Sequence, residues 1–176
     1  MVSEARAAFI SNLFDNIAEL GLWEENEYRL GQNGILFQLN KIGGDTDFRA
    51  AGEISIEKRN EELPVEFLDI SLVLAKEIEE KNVEAIIRKL YEVNITFQRG
   101  ILFLDGGGNL CFEAAFPIVA DDMEGALKLF LAVYAEIVMF LSSVYRYLFR
   151  VIADPENADF QEYIVAMLNA ASEDTE

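Results

Sequence analysis

Apolar residues recur at every fourth position early in the chain, at Phe9, Leu13 and Ile17, with Ile10, Phe14 and Leu20 beside them. That spacing predicts an amphipathic helix over 3–20, closed by Gly21 in the left-handed stop. After Trp23 the period changes from four to two. Ile35, Phe37 and Leu39 point one way and Leu36, Gln38 and Asn40 the other, which predicts a strand over 35–42 with Asn33 and Gly34 as a turn before it. Ile54 and Ile56 alternate with Glu53, Ser55 and Glu57 in a second strand over 52–58. Beyond Pro64, "VEFLDISLVLAKEI" sets Leu68, Ile70, Leu72 and Leu74 on one face of a third strand, 66–76, although propensity alone also permits a helix there.

Val83, Ile86, Ile87, Leu90 and Tyr91 return to helical spacing, with an expected end at Asn94. Two further strands, 98–105 and 109–117, follow. Between them lies the triplet Gly106, Gly107 and Gly108. A phosphate loop needs its glycines to lead into a helix, whose N-terminal amides would hold the anion. These lead into a strand, where Leu110, Phe112, Ala114 and Phe116 alternate with Cys111, Glu113 and Ala115, so the triplet is expected to be a hairpin turn. Asp121 and Asp122 then supply a cap and a first-turn acid for a long helix over 123–152, which Pro155 ends. A fourth helix carries Phe160, Ile164 and Leu168 on one face, before an acidic tail.

Composition narrows the function classes. The chain has 176 residues, 52% of them hydrophobic, enough for one domain with a real core. Its 32 Asp and Glu against 14 Lys and Arg leave a formal charge of -18, which repels a phosphate backbone, so nucleic acid is not an expected partner. With the single Cys111 no internal disulfide forms, and the start "MVSEARAAFISNLF" lacks the run of a secretory signal, so a cytoplasmic location is expected.

There is no histidine, which removes the triads, Cys–His pairs and histidine metal sites. The acid clusters Glu77, Glu79, Glu80, Glu84 and Asp121, Asp122, Glu124 read as solvated surface and helix capping rather than cation cages. Cys111 points with Glu113 away from the predicted core, and no neighbouring base lowers its pKa. No catalytic, cofactor-binding or metal-binding residue is therefore assigned, and no cofactor is expected.

The long helix carries two apolar stripes, one running from Leu127 and Phe130 to Leu148, the other through Leu129, Val133, Phe140 and Tyr147. A surface helix needs only one. The second stripe requires cover, either from the fourth and first helices or from a second copy, and Leu129, Val133, Phe140 and Tyr147 are the expected homodimer interface. A membrane span is not expected, because Glu136 would sit near mid-bilayer.

The order of helix, three or more strands, helix, hairpin and long helix, clearest over "DISLVLAKEI", "VEAIIRKLYEVN" and "FQRGILFLDGGGNLCFEAAFPI", resembles the type III secretion chaperone-like fold and, within it, the bacterial YbjN-type proteins. The small size and strong acidity are also similar to secretion chaperones, which bind extended client segments across exposed apolar patches and commonly pair. The resemblance implies an interaction or regulatory module. The helix after Pro155 lies outside the basic pattern.

The expected architecture is α+β: an antiparallel sheet of about five strands, packed by an N-terminal helix and a long C-terminal helix over 1–153, with 154–176 as a helical extension and acidic tail. The expected function is a non-catalytic protein-binding module, chaperone-like or regulatory, acting as a homodimer on a protein partner or client. The alternative is a small-molecule or cation binder with an enzymatic activity.

Overall fold

The computed structural model describes residues 4–31, 34–40, 42–44, 48–57, 65–96, 100–119 and 122–173. Among them run β1 (Tyr28–Leu30), β2 (Gly34–Asn40), β3 (Arg49–Glu57), β4 (Val65–Ala75), β5 (Ile101–Leu104) and β6 (Leu110–Val119), with helices α1 (Glu4–Glu19), α2 (Val83–Thr96), α3 (Met123–Ala153) and α4 (Phe160–Glu173). All strand pairs are antiparallel, in the spatial order β1-β2-β3-β4-β6-β5. The α+β class is as expected, and the segment open to a helical reading, 66–76, is the central strand β4.

The sheet has six strands where about five were expected. The addition is β1, three residues long and too short to show alternation; it pairs Arg29 with Leu36 on the edge of β2. Gly34 is the first residue of β2 and closes the β1–β2 turn, its carbonyl accepting from the Gly31 N–H at 2.8 Å; an added Cβ there would lie 2.2 Å from the Ile54 carbonyl oxygen. Asn33, Asp121, the first residues of the predicted strand 98–105 and the last of the tail lie outside the described residues.

The core sits between one face of the sheet and the helices. Phe9, Leu13, Phe14 and Ile17 of α1 and Phe130, Ile137, Leu141 and Leu148 of α3 are buried together with Ile35, Ile54, Leu68, Ile70, Leu72 and Phe112 of the sheet. Gly21 ends α1 at φ 68, as the sequence predicts. Asp122 caps α3 by accepting a 2.9 Å hydrogen bond from the Gly125 N–H. By length and composition α3 is apolar enough to cross a membrane, with mean hydropathy 1.8, yet in this fold one side of it is spent on the sheet.

Polar contacts also hold the elements together. Arg6 on α1 grips the buried Glu66 of β4 through Nε to Oε1 at 2.6 Å and Nη2 to Oε2 at 2.8 Å. Trp23 Nε1–H donates to the Tyr134 hydroxyl at 3.0 Å within an aromatic cluster that includes Phe37 and Phe130.

The far edge of the sheet is closed by a side chain. Asn94 of α2 donates through Nδ2 to the Leu102 carbonyl at 2.8 Å and accepts from the Leu102 N–H at 2.9 Å. It mimics a neighbouring strand and blunts the edge of β5. Asn94 was expected to end its helix; α2 instead runs on to Thr96.

Candidate binding surface

Side chains alternate along each strand. On β3, β4 and β6, Ile54, Ile70, Leu72, Phe112 and Ala114 go to the helices, whereas Ala51, Glu53, Ser71, Glu113, Ala115 and Pro117 remain exposed on the opposite face. The register makes several cross-strand rows there; beside Ser55–Asp69–Ala115, in which Asp69 is only 7% exposed, two rows border a hollow. One runs Leu36–Glu53–Ser71–Glu113–Ile101, the other Gln38–Ala51–Val73–Cys111–Phe103. Small side chains in the middle of both rows, flanked by Leu36 and Phe103, leave a hollow of about 360 Å³ on the outer face. Leu36 and Ile101 are 53% and 57% exposed, so apolar surface at both ends of the first row faces solvent.

The β5–β6 turn borders this hollow. The Asp105 carboxylate accepts 2.8 Å bonds from the N–H groups of Gly107 and Asn109 and from Asn109 Nδ2, while Gly108 N–H donates to the Asp105 carbonyl at 3.1 Å. Gly108 has φ 74. The amides that a phosphate would need are thus taken by Asp105, and the triplet is the expected hairpin turn. Asn109 above all holds the Asp105 carboxyl below its usual range.

Cys111 lies on the outer face as expected, but its neighbours leave it only 8% exposed, and its Sγ is 3.9 Å from Asp105 Oδ2. Burial, and then the Asp105 charge, push the thiol above its ordinary value. It stays protonated near neutral pH, without the thiolate a nucleophile needs.

The acid clusters are engaged as surface and caps. Glu79 pairs with Lys81 at 2.6 Å, Glu84 with Arg88, and Glu124 with Lys128. Among the described residues no three His, Cys, Asp or Glu side chains gather as a metal site. A hollow of about 500 Å³ lies where the β4–α2 connection meets the end of α3, lined by charged side chains such as Lys76, Glu79, Lys81 and Asp154.

The four stripe residues of α3 have separate environments. Leu129 is 38% exposed, Val133 is half-buried against the core, and Phe140 is half-buried with its ring centroid 5.5 Å from that of Phe112. Tyr147 has no exposed surface: α4 lies over it, with Phe160 and Tyr163 at ring-centroid distances of 4.9 and 5.5 Å. The Tyr163 hydroxyl fixes α4 by donating to the Ser143 carbonyl at 2.6 Å. Tyr147 is therefore a core residue of the single chain. The face of α4 that packs on the core is Phe160, Tyr163, Ile164 and Met167, and Leu168, expected on that face, is 60% exposed.

The helical spacing on α2 included Ile87 and Tyr91 along with Ile86 and Leu90. The buried positions are Ile86, Leu90 and Val93, and Ile87, Tyr91 and Ile95 form an exposed stripe four residues apart. Both apolar sets fit helical spacing, so periodicity alone could not choose between them. The outer sheet face did carry a signal, in the odd-numbered positions of β6 that alternate away from the core.

No protein-family model matches the chain and no curated protein sequence matches it, so its surfaces rather than a relative carry the functional reading.

Proposed function

We propose that the chain is a non-catalytic protein-binding module, chaperone-like or regulatory, that holds an extended segment of a protein partner on the outer face of its sheet. The observation that carries this reading is the one-sided sheet: the helices pack on a single face, while the opposite face presents Leu36, Ile101, half-buried Val73 and Phe103, and a shallow hollow between them. Exposed apolar surface of that kind marks interaction sites. A small-molecule or cation site would instead converge polar groups in a concavity. The best seat for one is the hollow at the end of α3, where Lys81 is already paired with Glu79.

A homodimer is a separate proposal, and its basis is narrower than the stripe suggested. Of the four stripe residues Leu129 is exposed and Val133 and Phe140 are half-covered, and the other exposed apolar side chains of α3, Leu131, Met139 and Phe149, lie outside the stripe. Light scattering should give twice the 19.8 kDa chain mass, and a Leu129→Asp variant should give the single mass. A single mass for the unaltered protein removes the dimer from the proposal.

The sheet-face reading is tested by Ser71→Trp, a bulky replacement at an exposed position in the hollow. Partners retained by the immobilised protein, identified by mass spectrometry, should be lost by this variant and kept by Lys128→Ser on the exposed side of α3. Equal retention by both variants rejects the sheet face as the binding surface.

A further inference from the structure

The two rows of the outer face suggest what kind of segment they fit. Glu53 on β3 and Glu113 on β6 both pair with Ser71 of β4, so the two carboxylates flank one small exposed side chain. With strands about 4.8 Å apart, their backbones stand roughly 10 Å from each other. The neighbouring row, Ala51–Val73–Cys111, lies two residues further along the same strands, or about 7 Å. It carries no charge. An extended segment laid along the strands presents same-side groups at the same two-residue interval.

Resting on the sheet-face reading, we propose that this surface selects segments in which an apolar side chain and an arginine or lysine stand two positions apart. The apolar group fills the hollow over Val73 and Cys111, and the cation lies over Ser71 between Glu53 and Glu113. Charge argues for this occupant against the others. A neutral apolar segment would strip water from two carboxylates and return no counter-charge. A second copy laid symmetrically on this face would bring the same acidic row against itself, on a chain already at -18. Nucleic acid and anionic lipid meet the same repulsion. A basic partner is drawn to such a surface, and complementary charge fixes its register.

The test uses the whole chain and four fluorescein-labelled nine-residue peptides that differ only at their centre: Leu-Ala-Arg, Leu-Arg-Ala, Leu-Ala-Gln and Leu-Ala-Glu. Anisotropy titrations at low salt should rank Leu-Ala-Arg tightest, ahead of the glutamine and shifted-arginine peptides by about five-fold, the effect expected of a partly desolvated charge pair. The glutamate peptide should be weakest. The double variant Glu53→Gln with Glu113→Gln should erase this ranking, and Ser71→Arg, which places a cation between the two carboxylates within the chain, should abolish the preference for the arginine peptide. All three positions are exposed, and unchanged melting curves confirm that the variants fold.

Equal affinity for all four peptides, lost in Ser71→Trp, overturns the charge rule and leaves the sheet-face reading standing. Binding that Ser71→Trp does not change overturns both. If no peptide binds at millimolar concentration, the proposed motif is wrong.

Discussion

The two faces of strands β4 and β6 share one backbone and one alternation, yet they have opposite fates. Toward the helices, Leu68, Ile70, Leu72, Phe112 and Phe116 are all at or below 7% exposure. Away from them, Ser71, Glu113, Ala115 and Pro117 are exposed, and the side chains are smaller or charged. The inner face supplies the stability, since burial of large side chains removes apolar area from water at about 25 cal/mol per Å². The outer face adds little to stability and is therefore free to hold small residues, acids and a hollow. The proposed binding surface and the core are separated by the thickness of one sheet.

The sharpest way to break this comparison is to truncate one residue on each face of the same strand. Phe112→Ala on the inner face should cost about 3–5 kcal/mol, from lost transfer energy and the cavity left beside Phe140. Two-state denaturant melts would measure it. An outer-face pair with a similar loss would mean that a partner or another part of the chain covers that face.

Next in size is the ion pair that ties α1 to the inner face. Arg6→Ala leaves the Glu66 carboxylate, 2% exposed, without its bidentate partner. Loss of one member of a buried pair costs about 3–5 kcal/mol, and the partly exposed Arg6 places this case near the lower end. Glu66→Gln should cost less, because the charge it leaves, on Arg6, is partly exposed to water and the glutamine carbonyl can still accept a hydrogen bond from it. A reversed order between the two variants in thermal melts would contradict this account.

A third effect comes from alkali, and it acts on the covered side. Burial raises Tyr134 to about 12, and Tyr147 shifts in the same direction. Below pH 10 both hydroxyls are protonated in the folded and unfolded chain, and stability is at its full value. Between pH 10 and 12 the unfolded chain ionises while the folded one resists, so stability falls by on the order of 2 kcal/mol for Tyr134 before levelling above 12. Denaturant midpoints from pH 8 to pH 12 should decline, and Tyr134→Phe should flatten the slope while lowering the plateau by about 1 kcal/mol, because Trp23 loses its acceptor.

The smallest effect is expected on the outer face. Glu113→Gln and Ala115→Ser should each change stability by less than about 0.5 kcal/mol. Against the Phe112→Ala loss, one position along the same strand, this near-silence is what the one-sided sheet requires.

Alternation made β3, β4 and β6 legible because a strand with one buried face writes its period into the chain. Gly21 and Pro155 were legible as stops for the same local reason. Three features were not. β1 is too short for a period, and Leu30 at 43% exposure has no buried neighbour in its strand to mark a face. On α2, Ile87 and Tyr91 compete with Ile86 and Leu90 for the packed side, and the choice is made by β5, α3 and α4. Asn94 looks like a helix end, yet its amide is matched by Leu102, a partner eight residues away whose position depends on the sheet.

The candidate surface divides in the same way. That Cys111, Glu113 and Ala115 face away from the core was readable, and so was the absence of histidine; that Glu53 and Glu113 flank Ser71 was not, because strand order and register set it. Local periodicity, turn chemistry and capping act over a few residues, so the sequence by itself determined the class of the fold, most of its elements and the reading of the glycine triplet as a turn. Tertiary structure decided that α4 covers Tyr147, and that Glu53, Ser71 and Glu113 of the outer sheet face are exposed while Asp69 and Cys111 on the same face are not. Those outcomes depend on which apolar surfaces meet across long chain separations, where the hydrophobic effect rewards any burial and only packing selects among the partners.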